Sequence, residues 1–159
     1  MTHGRPLAYR VDGQGEALLL LNGGMMTITS WDAIVAPLAE RYRVVRCDFR
    51  GQLRSPGAPH PDLAGHVADL VALLDALDLK RVHTVGTSFG AEVALLLAAS
   101  HPHRIASLVA ATASDVATPL FQAGSTALGR ALHSAAAGGK RDSLLAIMQD
   151  LFYSPVSPR

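Results

Sequence analysis

The sequence predicts an α/β fold, a mostly parallel sheet with helices on both faces. Three observations carry this. Strand-length apolar runs alternate with helical patterns from residue 7 to residue 111, the rhythm of successive strand–helix–strand units. The run 17–21 is apolar at every position, as a strand covered on both faces must be. The chain has 159 residues, 49% hydrophobic and 17% charged, which suits one domain with a real core and excludes a chain that is mainly disordered.

Composition narrows the function classes. Fourteen basic residues against 13 acidic ones leave a formal net charge of +1, which gives no electrostatic footprint for nucleic acid. The single cysteine, Cys47, has no internal disulfide partner, so a reducing compartment is the expected home. Aromatic residues make up only 5%, so Ala, Leu and Val must build the core. Residues 1–15 lack the charged start and apolar stretch of a signal peptide. The runs 17–21 and 93–99 fall far short of the ~20 residues that span a bilayer. The expectation is a soluble, cytoplasmic protein.

The elements follow in order. Residues 7–11 alternate weakly and predict an edge strand. Asp12-Gly13-Gln14-Gly15 predicts the positive-φ turn of a tight hairpin into strand 17–21. Asn22-Gly23-Gly24 breaks that strand. Ser30 is the predicted N-cap of a helix from Trp31 to about Glu40, with Trp31, Ile34, Val35 and Leu38 on its apolar face. A strand at 43–47 and a Gly/Pro-rich loop at 48–61 come next. Asp62 is the predicted cap of a helix with an apolar stripe at Leu63, Val67, Leu70, Val71, Leu74 and Leu77. A strand at 81–85 runs into Gly86-Thr87-Ser88-Phe89-Gly90 and an Ala/Leu-rich helix ending near Ser100. Residues 105–111 form a further strand. Beyond Val116 the pattern changes: 119–137 and 142–152 read as helices around Gly138-Gly139, with no strand after them.

The chemistry-bearing motif is Gly86-Thr87-Ser88-Phe89-Gly90, a G-x-S-x-G. Alone it is a weak signal; with a strand directly before it and a long helix directly after, it has the context that gives it meaning. A serine at a sharp strand-to-helix turn adopts a strained backbone, and flanking glycines remove the Cβ atoms that would clash. Its hydroxyl then projects over the carboxyl edge of the sheet, beside N–H groups able to stabilise an oxyanion. The matching donors are the N–H of Phe89 in the turn and that of Gly24 or Met25 in the loop after strand 17–21.

On these residues the chain resembles the α/β-hydrolase superfamily. Leu20-Leu21-Asn22-Gly23-Gly24 is similar to its oxyanion loop. Asp48-Phe49-Arg50-Gly51-Gln52-Leu53-Arg54-Ser55 matches its D-x-R-G-x-G-x-S loop, and Val85 to Gly90 its nucleophile elbow. His101-Pro102-His103-Arg104-Ile105 looks like its usual approach to the next strand. The match runs from about Leu7 to Asp115. Two positions depart: Asn22 stands where His is commonest, and Leu53 replaces a Gly. The resemblance implies a hydrolase core at 1–115 and the start of a helical lid or cap at 116–159. It also implies a fold truncated at its C-terminal side, two strand–helix units or on the order of 60 residues short.

The resemblance further implies a serine hydrolase that attacks an ester, lactone or amide carbonyl through Ser88. A serine needs a base, and the family's order is Ser, acid, His, with the last two usually after the seventh and eighth strands. His101 and His103 end the helix that Ser88 begins, about 18 Å away at ~1.5 Å per residue, and suit a helix C-terminus instead. Nothing fixes His133 opposite the elbow. His83, inside a strand, reads as a packed, hydrogen-bonded residue. Asp115 follows strand 105–111, which corresponds to the family's sixth strand, where some relatives place their acid; the alternative is a helix N-cap. Asp48 and Arg50 are expected to hold their loop, Cys47 to be inert, and Trp31, Met25 and Met26 to pack or line a pocket.

No metal or organic cofactor is expected: the sequence lacks H-E-x-x-H, paired Cys, a P-loop and a dinucleotide fingerprint. The expected partner is a small acyl substrate, with neither nucleic acid nor membrane. The alternative is an inactive half-fold that binds a ligand or partner, with strand 105–111 an exposed edge open to self-association.

Overall fold

The computed structural model describes residues 7–60 and 62–113. The chain divides into two compact units, Met1–Ser114 and Asp115–Arg159, and every described residue belongs to the first. The expected helices at 119–137 and 142–152, together with Asp115 and His133, lie outside the described residues.

Five strands form one sheet. They are β1 (Tyr9–Asp12), β2 (Glu16–Leu21), β3 (Tyr42–Cys47), β4 (Val82–Thr87) and β5 (Ile105–Ala111), in the order β1-β3-β2-β4-β5. Only β1 runs antiparallel to its neighbour. Helix α1 (Asp32–Ala39) connects β2 to β3, α2 (Leu63–Ala76) connects β3 to β4, and α3 (Phe89–Ser100) connects β4 to β5. Right-handed crossovers dictate which face each helix takes. The step from β2 to β3 runs toward β1; the steps to β4 and β5 run the other way. The reversal puts α1 on one face and α2 with α3 on the other.

The side chains of β2 record this. Ala17, Leu19 and Leu21 pack in one cluster with Val67, Leu70 and Leu97. Leu18 and Leu20 pack in the other with Trp31 and Val35. Each fully buried leucine of this kind is worth about 1.5–3 kcal/mol. The apolar stripe expected on α2 faces inward, and Asp62 caps that helix by accepting the Gly65 N–H at 2.9 Å. Among the described residues no helix is long and apolar enough to cross a membrane.

Two local expectations need correction. The turn at 12–15 does not close a hairpin, because β1 and β2 are not neighbours; β3 lies between them. Gly13 (φ +74°) and Gly15 (φ +111°) do take the left-handed conformation, but to let the loop cross the α1–β3 junction. A Cβ at Gly13 would stand 2.3 Å from Ala39 O, and one at Gly15 2.6 Å from Arg41 O. Likewise Ser30 does not cap α1. A 3-10 turn, Ile28–Trp31, precedes that helix with Thr27 at its N-cap, and Ser30 Oγ reaches back to accept the Thr27 N–H at 3.1 Å.

Arg46 ties this side together from inside β3. It is 2% exposed and donates to Asp12 at 2.6 Å, to Asp32 at 2.5 Å and to Ile28 O at 3.1 Å. One guanidinium thus joins the end of β1, the 3-10 turn and the first turn of α1. Burial lowers its pKa, but hydrogen bonds and charge from Asp32 and Asp12 prevail and raise it.

Gly13→Ala meets both a positive φ and a carbonyl oxygen, so it should cost roughly 1–3 kcal/mol. A urea titration showing an unchanged midpoint would contradict this account of the loop.

Candidate functional site

The register brings three loops to one level. Leu21 pairs with Cys47 of β3 and with Gly86 of β4. The segments that follow, beginning at Asn22, Asp48 and Ser88, therefore leave the same carboxyl edge side by side. β2 and β4 flank the point where the winding reverses, and such switch points are where open α/β sheets hold their ligands.

Ser88 sits exposed between the last residue of β4 and the first of α3, with φ 50° and ψ −121°. A non-glycine residue there carries strain of order 1–3 kcal/mol. Hydrogen bonds hold it on both sides. Its N–H donates to Ala111 O at 2.9 Å and to Thr112 Oγ1 at 3.0 Å. Its carbonyl accepts from Ala91 N at 2.8 Å and Glu92 N at 3.2 Å. Both glycines of the turn are there for close approach. A Cβ at Gly86 would lie 2.4 Å from Gly90 O; one at Gly90 would lie 2.4 Å from Leu21 O and 2.5 Å from Asn22 O.

The loop after β2 reaches the serine directly. A Cβ on Gly23 would be 3.4 Å from Thr87 O and 3.7 Å from the Ser88 Cβ. Gly23 N–H donates to Met26 Sδ at 3.3 Å, and Gly23 O accepts from Met26 N at 3.1 Å. Among the described residues, nothing accepts a hydrogen bond from the N–H of Gly24, Met25 or Phe89.

A buried polar hub fixes this loop, and Asn22 is its centre. Fully buried, Asn22 donates through Nδ2 to Cys47 O at 2.9 Å and to Asp48 Oδ1 and Gln52 Oε1 at 3.2 Å each. Its Oδ1 accepts from Trp31 Nε1 at 2.7 Å. Asp48 is equally buried. It accepts from Ile28 N at 2.7 Å and Arg54 N at 3.2 Å, so its charge faces oriented donors. Gln52 accepts from Phe49 N at 2.8 Å and donates to Gly23 O at 3.2 Å. The Asn at position 22 therefore holds this loop through its side chain. Trp31 does more than pack. Leu53, 76% exposed, fits at a position where the resembled pattern has Gly.

Arg50 holds the outer part of the loop with a two-pronged contact to Asp69 at 2.7 and 2.8 Å, and His60 adds a third bond to Asp69 at 2.9 Å. Burial pushes the Asp69 carboxyl up, but hydrogen bonds from Arg50 and His60, then their charges, outweigh it and hold the carboxyl below its ordinary value. Burial, then Asp48 and Asp69, push the Cys47 thiol up to about 12, which keeps it protonated and inert.

His83, His101 and His103 are engaged away from Ser88. His83 Nδ1 pairs with Ser107 Oγ at 2.8 Å, and its ring stands edge-on to Tyr42, as expected. His101 closes α3 beside Ser100, and His103 lies in the following 3-10 turn (Pro102–Arg104). Arg50 holds its loop as expected, while its partners Asp69 and His60, the Asn22 side chain, Gln52 and Thr112 carry no local pattern in the sequence. A polar Asn at the end of an apolar strand was the available signal, since buried polar groups require partners.

A partly parallel sheet that winds both ways, with a glycine-flanked serine at its switch point, defines the class. The chain matches the alpha/beta hydrolase fold over residues 16–136 and belongs to that family. It is 34% identical over 102 residues to a 2-hydroxy-6-oxo-2,4-heptadienoate hydrolase of Pseudomonas putida, covering 61% of this chain and 37% of that protein. A hydrolase structure from Pseudomonas aeruginosa superimposes with a TM-score of 0.74 at 35% identity, covering 94% of this chain and 59% of that one. The enol-lactonase of Burkholderia xenovorans superimposes with a TM-score of 0.63 at 30% identity, covering 65% and 42%. The chain spans 34–41% of the length of the curated relatives it matches.

Because the folded Asp69 titrates below its ordinary 3.8, its contribution is complete above that pH and is lost as pH falls through the folded value. The urea midpoint should decline on that acid limb, and Asp69→Asn should flatten that part of the decline. An acid limb identical in the variant would contradict the assignment.

Proposed function

We propose that this chain carries the nucleophile half of a serine hydrolase. Ser88 attacks an ester, lactone or amide carbonyl, and an acyl-enzyme forms that water then cleaves. The supporting observation is the strained, exposed Ser88 between β4 and α3 with Gly23 in van der Waals reach. The developing oxyanion is received by the N–H of Phe89 and by that of Gly24 or Met25, which point no bond at any described group. The base is a histidine oriented by an acid. No described histidine hydrogen-bonds Ser88, and Asp115 is retained as a candidate for the acid.

The named relatives bear on substrate class. One takes its name from an enol-lactone and the other from a 2-hydroxy-6-oxo-dienoate, and both names fit attack at an activated carbonyl carbon. This reading places residues 116–159 in a helical cap and the protein in the cytoplasm, where a single cysteine needs no disulfide partner. Without its histidine such a site loses on the order of 10⁶ in kcat and keeps perhaps 10³–10⁴ over water.

A second reading, an interaction module, is favoured by β5. Among the described strands β5 pairs on one side only, and Val109 on it is 55% exposed. Such an edge is a template for a second copy of the chain.

A fluorophosphonate reagent applied to the purified chain separates the two. Slow modification confined to Ser88, and absent in Ser88→Ala, is the expected outcome. Equal modification of Ser88→Ala overturns the nucleophile assignment. No modification together with a concentration-dependent size supports the interaction module instead.

A further inference from the structure

Behind the Ser88 turn lies an aromatic nest that the nucleophile chemistry leaves unused. His66 occupies the first turn of α2 and is 4% exposed. Its ring stands edge-to-face with Phe89 (centroids 5.2 Å apart, planes at 86°) and with Phe49 (5.4 Å, 80°). His60 closes a third side at 5.1 Å and 90°. Phe49 and Phe89 also meet each other at 5.4 Å and 85°. Phe89 is the residue whose N–H opens α3 beside Ser88, so its side chain is anchored by a ring able to change charge. The Nδ1 of His66 is buried and has no hydrogen-bond partner among the described residues.

We infer that His66 is a positioning residue for the Phe89 N–H: packed against Phe89 and Phe49, its ring fixes the first peptide of α3, and proton uptake by that ring loosens it. This rests on the proposed role of Phe89 as an oxyanion donor, but its structural half can be tested without that role. Edge-to-face aromatic contacts prefer one geometry, so a ring held on two faces transmits its position to its own backbone. A charge placed on His66 finds no described acceptor at Nδ1.

The groups facing the ring can be named element by element. From α2 come Asp62 and Asp69, which favour the charged form. From the 48–61 loop comes His60, whose ring charge opposes it while a hydrogen bond to the His60 backbone favours it, with Arg50 already bound to Asp69. α3 contributes Phe89, which does not ionise. Burial, then the charge of His60, outweigh the two carboxylates and the His60 backbone bond and lower the His66 pKa from the ordinary 6.5. The folded state thus resists a proton that the unfolded chain accepts. Stability and turn geometry should both deteriorate as pH falls from 6.5 through the folded value.

The test is nuclear magnetic resonance on the isotopically labelled full chain. The His66 ring and the Phe89 and Gly90 amides are followed as pH is lowered from neutrality. The expected result is a His66 midpoint below 6.5 with the Phe89 amide moving at that same midpoint. His66→Phe keeps an aromatic edge without a titrating group and should abolish the movement. His60→Gln should leave it in place. Movement of the Phe89 amide that persists in His66→Phe, or that disappears in His60→Gln, overturns the inference, as does a His66 midpoint at or above 6.5. Because this readout does not require Ser88 to react, it fails or succeeds separately from the hydrolase reading. If Ser88 labels, His66→Ala should slow that labelling about tenfold relative to His66→Phe, the size expected from displacing one donor partway.

Discussion

At Gly90 the backbone of α3 lies so close to the end of β2 that a methyl group would sit 2.4 Å from Leu21 O, and at Gly86 the same crowding recurs within the turn itself. This contact, possible only with hydrogen as a side chain, sets the angle at which the helix leaves the sheet. That angle leaves residue 88 no relaxed conformation. The strain is local, but what holds it is distributed: two acceptors on the β5 side, two amides on the α3 side, and the sheet register beneath. The exposed hydroxyl follows from packing that sequence alone expresses as two glycines four residues apart.

The loop opposite the turn is fixed by another means. The turn relies on the absence of atoms, whereas the Asn22 loop relies on a saturated set of polar atoms. Asn22 uses both ends of its amide, Asp48 spreads its charge over oriented donors, and Gln52 bridges the two loops. A buried network of this kind rigidifies when every member is satisfied and is costly when one is not. Its members come from segments 20 to 30 residues apart, so the loop forms only once the sheet has assembled.

Much of this was legible in the sequence, and the limits have physical causes. The strands and helices are visible because each buries one or both faces and so carries a period. The serine turn is visible because its steric demand singles out glycine. The 12–15 segment misled because turn chemistry reports positive φ and not which strands pair: Gly13 and Gly15 have the expected dihedrals in a crossing loop instead of a hairpin. Ser30 misled because either hydroxyl residue of a Thr27–Ser30 pair suits a helix start. The Asn22 hub and the His66 nest were invisible for one shared reason: neither has a local pattern, and both arise where separate connections converge on a single edge.

Gly24 stands apart from its neighbours. A Cβ there would meet nothing within 4 Å, and its backbone does not require glycine. Next to it, Gly23 is pressed against Thr87 and Ser88. The rim of the site thus has one rigid position and one vacant one, and the vacant one can be varied without disturbing the packing that shapes the serine. A collection of residue-24 substitutions would therefore reshape the surface beside the serine while leaving the scaffold untouched, which makes this position a natural handle for changing what approaches it.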